Sequence, residues 1–145
     1  MDYKNEMVME FSAQSDNEAF ARSVIGCFIL RLNPSVAEIA DVKTAVSEAV
    51  TNSIVHGYKK EGGKVVLGAR IEGRTLHINV SDDGVGIENL SKALEPFYTT
   101  RPQEERSGMG FTIMKSFMDC VNVKSEPNKG TQVYMSKTFK TDEQE

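Results

Sequence analysis

Glu48, Asn52 and His56 recur at steps of four in the stretch Ser47-Glu-Ala-Val-Thr-Asn-Ser-Ile-Val-His-Gly57. At about 100° per helical residue, that spacing sets the three side chains along one slowly drifting line. A carboxylate can take up a proton, and a carboxamide offers the neutral, hard oxygen that magnesium favours. An imidazole at a helix end can orient a neighbour or serve structure alone, and His56 is left without a catalytic role. Beside this line runs an apolar stripe of Ile39, Val42, Val46, Ala49, Val50 and Ser53 with a 3.6-residue period. Polar groups on that border are either a solvated helix edge or a site where helix and sheet part.

Two further segments carry chemistry. Asp82-Asp-Gly-Val-Gly86 follows an apolar strand, and its glycines let backbone come close to a ligand. A hairpin turn at Asp83-Gly84 competes with that reading, although no alternating strand follows. A calcium loop with Gly84 sixth would put Leu90 where a glutamate is needed. A plain glycine-rich loop stays open. Arg106-Ser-Gly-Met-Gly110 precedes a helix, so exposed N–H groups and an arginine could receive an anion there. An ordinary loop-to-helix junction explains the same residues. GxxxxGK[ST] is absent, and Gly62-Gly63-Lys64 reads as a turn.

The elements that must position these residues follow from pattern. Residues 7–13 alternate as a strand. Ser15-Asp-Asn-Glu18 reads as a capping box opening a helix that Asn33-Pro34 ends after Leu32. Ser35-Val-Ala-Glu38 is a second box, opening a helix to His56 with Gly57 as its C′ residue. Residues 64–71 and 75–81 form a hairpin turning near Gly73. A short helix is expected near 88–94, and the polar, proline-bearing segment 95–107 is the candidate mobile loop. Residues 111–120 read as helix, 121–126 and 131–139 as a closing hairpin, and 141–145 as a frayed tail. The sum is an α+β fold, a two-layer α/β sandwich with helices on one face of a mainly antiparallel sheet. One domain over residues 1–145 suffices.

Composition narrows the class. The chain is 39% apolar and 26% charged with net charge −4, so no basic patch for nucleic acid is expected. No apolar run reaches the ~18 residues of a membrane span. The opening MDYKNEMVME lacks the pattern of a signal peptide, so the expected location is cytoplasmic. Cys27 and Cys120 lie in apolar runs without CxxC spacing, and reduced core thiols are expected.

Each motif is weak by itself, but their order is specific: E-x-x-x-N-x-x-x-H-G, strand–DxGxG, polar loop, GxG–helix, Gly130-Thr131. That order resembles the Bergerat-type ATP-binding fold of gyrase, histidine kinases and MutL. Within it the chain is similar to the bacterial anti-sigma factor serine/threonine kinases. NEMVMEFSAQSDNEAFAR, VSEAVTNSIVHGY, EERSGMGFTIMKSFMD and NKGTQVY carry this likeness, which spans about residues 6–139. It is closest to the sporulation branch, with the general-stress branch as its sibling; Arg101 stands where that family suggests lysine.

The resemblance implies ATP or ADP with Mg2+ between helix and sheet. Asn52 would face the metal, Asp82 the adenine amine, and Thr131 would support Asp82 or the ring. Gly84 and Gly86 would give backbone room, while Ser107, Gly108 and Gly110, with Thr99 and Thr100, would wrap the phosphates. Glu48 would act as general base on a serine hydroxyl, and Arg106 would neutralise charge on the transferred group. Arg22 would contact a sigma factor and an anti-anti-sigma protein. The first helix (Phe20, Val24, Ile25, Cys27, Phe28, Ile29, Leu30, Leu32), apolar on many sides, suggests a homodimer or burial against sheet and second helix. Neither nucleic acid nor membrane is implied as a partner. A histidine-kinase catalytic domain fits less well, since no helix pair bears a phosphoacceptor histidine. An ATP-gated sigma-binding module without phosphotransfer is the non-enzyme alternative.

Overall fold

A computed structural model describes residues 3–57, 62–87 and 110–140. Its sheet has five strands: β1 (Lys4–Ser12), β2 (Lys64–Glu72), β3 (Thr75–Asp82), β4 (Cys120–Ser125) and β5 (Thr131–Thr138). They run in the order β1-β2-β3-β5-β4, each neighbouring pair antiparallel. Among the described residues three α-helices, α1 (Asp16–Phe28), α2 (Val36–Asn52) and α3 (Gly110–Phe117), lie in the second layer, α2 packing against both α1 and α3. This is the α+β sandwich expected from the pattern.

Alternation decides which strand face meets the helices. On β2, Val65, Leu67, Ala69 and Ile71 are buried, and on β3 Leu76, Ile78 and Val80. The same period carries Asp82 onto that inner face, where it is 8% exposed. A carboxylate thus ends a row of hydrophobes. The hairpin between β2 and β3 turns at Gly73, whose φ of 62° is the left-handed region that glycine enters freely. From α2, Val42, Ala45, Val46, Ala49 and Val50 are buried in the core, whereas Ile39 is only half-buried.

The two capping boxes part company. At α2 both bonds form: Ser35 Oγ accepts from the Glu38 N–H at 3.0 Å, and Glu38 Oε1 accepts from the Ser35 N–H at 2.9 Å. At α1 the expected box is absent, because Ser15 is itself in helical conformation and makes no side-chain cap bond. Glu18 is drawn away instead, accepting a hydrogen bond from Ser47 on α2. A tertiary partner outcompetes the local one.

Other differences are as specific. α1 ends at Phe28, and Ile29–Leu32 tighten into a 3₁₀ turn before Asn33 turns left-handed at φ 50°. α3 stops at Phe117, so Cys120 begins β4 rather than ending a helix. Both thiols are free as expected, but Cys27 and Cys120 are exposed and not in the core. The expected features at 88–94, 95–107 and 141–145 lie outside the described residues. Among the described residues no helix is long and apolar enough to cross a membrane.

Candidate functional site

α2 does not run regularly to His56. After Asn52 it widens into a π-helical turn, Ser53–Gly57, a feature that recurs at functional sites. Glu48, Asn52 and His56 are half-buried along this border. The start of α3 closes over two of them. A Cβ on Gly110 would stand 3.2 Å from Asn52 Nδ2 and 3.3 Å from Glu48 Oε2. The first described turn of α3 is thereby set against a carboxylate and a carboxamide one turn apart.

The second half of the site is built on Asp82. Its Oδ2 accepts from the Ser53 hydroxyl at 2.8 Å and its Oδ1 from the Gly84 N–H at 2.9 Å. Burial pushes the carboxyl above the usual range, opposed by the bonds from Gly84, Ser53 and the Thr131 backbone and reinforced by nearby Asp83. Such a buried acceptor at a strand end suits the amine of a ring base. Gly57, expected as a left-handed C′ residue, is needed for another reason. A Cβ there would lie 2.9 Å from Asp82 Oδ1, and one on Gly84 would collide with the Gly57 carbonyl. These two glycines let the end of the helix and the DxGxG bend touch, and the Val85 N–H donates to Gly57 O at 2.8 Å.

The bend is fastened on its other side by the β4–β5 turn. The Asn128 N–H donates to Val85 O at 2.6 Å, and the Ile87 N–H donates to Ser125 Oγ at 2.8 Å. Gly86 (φ 73°) admits no Cβ because Glu126 O fills that space. Thr131 sits beside Asp82 in the β3–β5 register, with its hydroxyl 2.8 Å from Ser125 Oγ.

The structure therefore brings Glu48, Asn52 and Gly110 together at one end, and Asp82, Gly84, Gly86 and Thr131 at the other. Ser53, directly after Asn52, joins the two. Arg22 stands apart on α1, exposed, with its Nη1 3.7 Å from Glu18 Oε1. Thr99, Thr100, Arg106, Ser107 and Gly108 lie outside the described residues. Two members escaped sequence reasoning. Ser53 was absorbed into the apolar stripe, although a hydroxyl at a core position asks for a partner. Ser125 is an unremarkable strand-end serine, and its role appears only in three dimensions.

The residues present fit a nucleotide with a magnesium ion. Magnesium takes one or two protein oxygens together with phosphates and water, which Asn52 can supply without a dedicated cage. The room expected at Gly84 and Gly86 is taken up by the chain itself, the Gly57 and Glu126 carbonyls, so the missing Cβ there serves the packing of the bend, and at Gly110 it lets α3 approach Asn52 and Glu48.

Comparison with known proteins identifies the family. Residues 11–137 match the family model of the histidine kinase-like ATPase domain. The chain is 56% identical over 136 residues to an anti-sigma F factor of Clostridium acetobutylicum, covering 94% of this chain and 95% of that protein. It is 52% identical over 135 residues to an anti-sigma F factor of Geobacillus thermodenitrificans, covering 92% of each. Among solved structures, the RsbU and RsbW domains of a Mycobacterium tuberculosis protein superpose with TM-score 0.66 at 16% identity, over 93% of this chain and 32% of that one. The catalytic domain of the histidine kinase ThkA does so with TM-score 0.58 at 17% identity, over 96% and 99%. At those identities the structural likeness speaks for the fold. The sequence relatives and the family model go further: this chain belongs to the anti-sigma F factors, built on the histidine kinase-like ATPase domain.

Proposed function

We propose that this chain is a cytoplasmic, homodimeric anti-sigma factor that binds and inhibits a sporulation sigma factor and phosphorylates a serine of an anti-anti-sigma protein with Mg-ATP. All 145 residues then serve as one kinase and anti-sigma domain. The observation that carries this reading is the meeting of Glu48 and Asn52 at the start of α3, with Ser53, the residue after Asn52, hydrogen-bonded to Asp82 at the end of β3.

In the reaction, Asp82 accepts from the adenine amine while Gly84 and Gly86 let the bend pack against Gly57 and Glu126, with the Gly84 N–H holding the Asp82 carboxylate. A bound magnesium ion would supply charge neutralisation at the phosphates, with Asn52 as its protein ligand. Glu48, one turn earlier, takes the proton from the incoming serine hydroxyl. The serine oxygen then forms its bond to the γ-phosphorus as the bond to the departing ADP oxygen breaks. Gly110 keeps the N–H groups of α3 close to this region, and Arg106, Ser107, Gly108, Thr99 and Thr100 are assigned to the phosphates by family likeness. Arg22, exposed on α1, is the contact for both protein partners.

Glu48→Gln keeps the shape of the side chain and removes its basicity. Incubation with labelled ATP and an anti-anti-sigma protein should show nucleotide binding preserved and phosphotransfer reduced by about 10²–10⁴-fold. Transfer at the wild-type rate would refute the general-base role. Sigma binding with no label on serine in the wild type would favour an ATP-gated module instead.

A further inference from the structure

Ser125, Thr131 and Asp82 are register partners across β4, β5 and β3, so their side chains stand in one row on one face of the sheet. At the end of that row Ser125 Oγ has three polar neighbours. They are the Ile87 N–H at 2.8 Å, the Gly130 carbonyl at 2.9 Å and the Thr131 hydroxyl at 2.8 Å. A backbone N–H can only donate and a carbonyl can only accept. The one serine proton goes to Gly130 O, and the proton between the two hydroxyls comes from Thr131. Lone pairs are then all that the Thr131 oxygen has left to offer.

We propose that Ser125 is a specificity-determining positioning residue: by taking the Thr131 proton, it makes that hydroxyl a second acceptor beside Asp82, so the row reads an amine on the base and rejects a carbonyl. The proposal rests on the assignment of Asp82 and Thr131 to the base. A carbonyl at the amine's ring position would meet lone pairs only, leaving polar groups unpaired. Sites built to hydrogen-bond a particular group discriminate most strongly in this way. Ser125 needs no contact with the ligand to do this. It acts by fixing a proton one residue away.

The test is competition binding of ATP and ITP, whose hypoxanthine carries a carbonyl in place of the amine. The wild-type chain should prefer ATP. Ser125→Ala frees the Thr131 hydroxyl to rotate and donate, and the preference should narrow by about five- to tenfold. Ser125→Thr restores the acceptor and should restore the preference. Equal weakening of both nucleotides by Ser125→Ala, with their ratio unchanged, would mean a merely structural role and overturn the proposal.

Thr131→Val gives a second arm that does not depend on how Ser125→Ala folds. It should weaken ATP more than ITP, and equal weakening overturns the proposal. In the Thr131→Val background, Ser125→Ala should leave the ratio unmoved; a further shift also overturns it. Failure of the wild type to bind either nucleotide strikes down the base-site assignment itself, and the proposal with it.

Discussion

On the proposed assignment, a single carboxylate, Asp82, sets function against stability. Its folded pKa is raised, chiefly by burial, so the folded state holds the proton more tightly than the unfolded chain does. Stability from that proton is complete below the ordinary carboxylate pKa and is lost as pH rises through the raised value. Asp82→Asn removes this titration, and the Ser53 hydroxyl can turn to accept from the new amide. The nucleotide-free variant should therefore melt at or above the wild-type temperature at pH 7, and this advantage should shrink in acid. ATP binding should meanwhile fall at least tenfold, because a charged acceptor is lost. Thermal melts at pH 7 and about pH 4, with nucleotide titrations alongside, check both halves. Glu38 titrates oppositely: burial raises its pKa, but bonds from the Ser35 and Lys140 N–H groups and the Ser35 hydroxyl, with Lys137 nearby, bring it below normal. Its stabilisation is lost as pH falls, in variant and wild type alike, so the comparison isolates Asp82.

Elements form where local and tertiary demands agree. Ser35 and Glu38 satisfy each other at α2, whereas the equally good sequence at Ser15 does not, since Glu18 has Ser47 and Arg22 within reach. Ser35→Ala should cost about 1 kcal/mol, lowering the melting temperature by roughly 3 °C. Ser15→Ala should change stability by less than about 0.5 kcal/mol. Equal losses would mean that the α1 cap forms in solution after all. The same contrast explains what was legible. The alternating runs of β2 and β3 and the α2 stripe are decided by burial period, and the chain reads there as it folds. The glycine contact between positions 57 and 84, the Ser53–Asp82 bond and the Ile87–Ser125 bond join residues far apart in sequence. No local period encodes such a meeting. Glu48, Asn52, Asp82, Gly84, Gly86 and Thr131 could be picked out only through the order of their motifs and its likeness to a family, since each motif is weak by itself.

For the molecule as a whole, α1 faces two ways. Ala21, Ile25, Ile29 and Leu32 are buried along α1 and its 3₁₀ extension, while Phe20 is 55% and Leu30 58% exposed, with exposed Cys27 between them. Exposed apolar side chains grouped along one helix face mark an interaction surface more often than isolated ones do. If this face is the proposed homodimer seam, Phe20→Ala with Leu30→Ala should weaken self-association at least tenfold in sedimentation experiments. Folding stability should move by less than about 1 kcal/mol, since neither residue is in the core. Unchanged association would place the seam elsewhere. The row from Ser53 through Asp82 and Thr131 to Ser125 has a different reach, for it runs from the middle of the molecule to β4, the outermost strand of the sheet. Rim strands open more readily than central ones. If the base lies as proposed beside Asp82 and Thr131, breathing at that margin would loosen the grip on it and shorten the time a nucleotide stays.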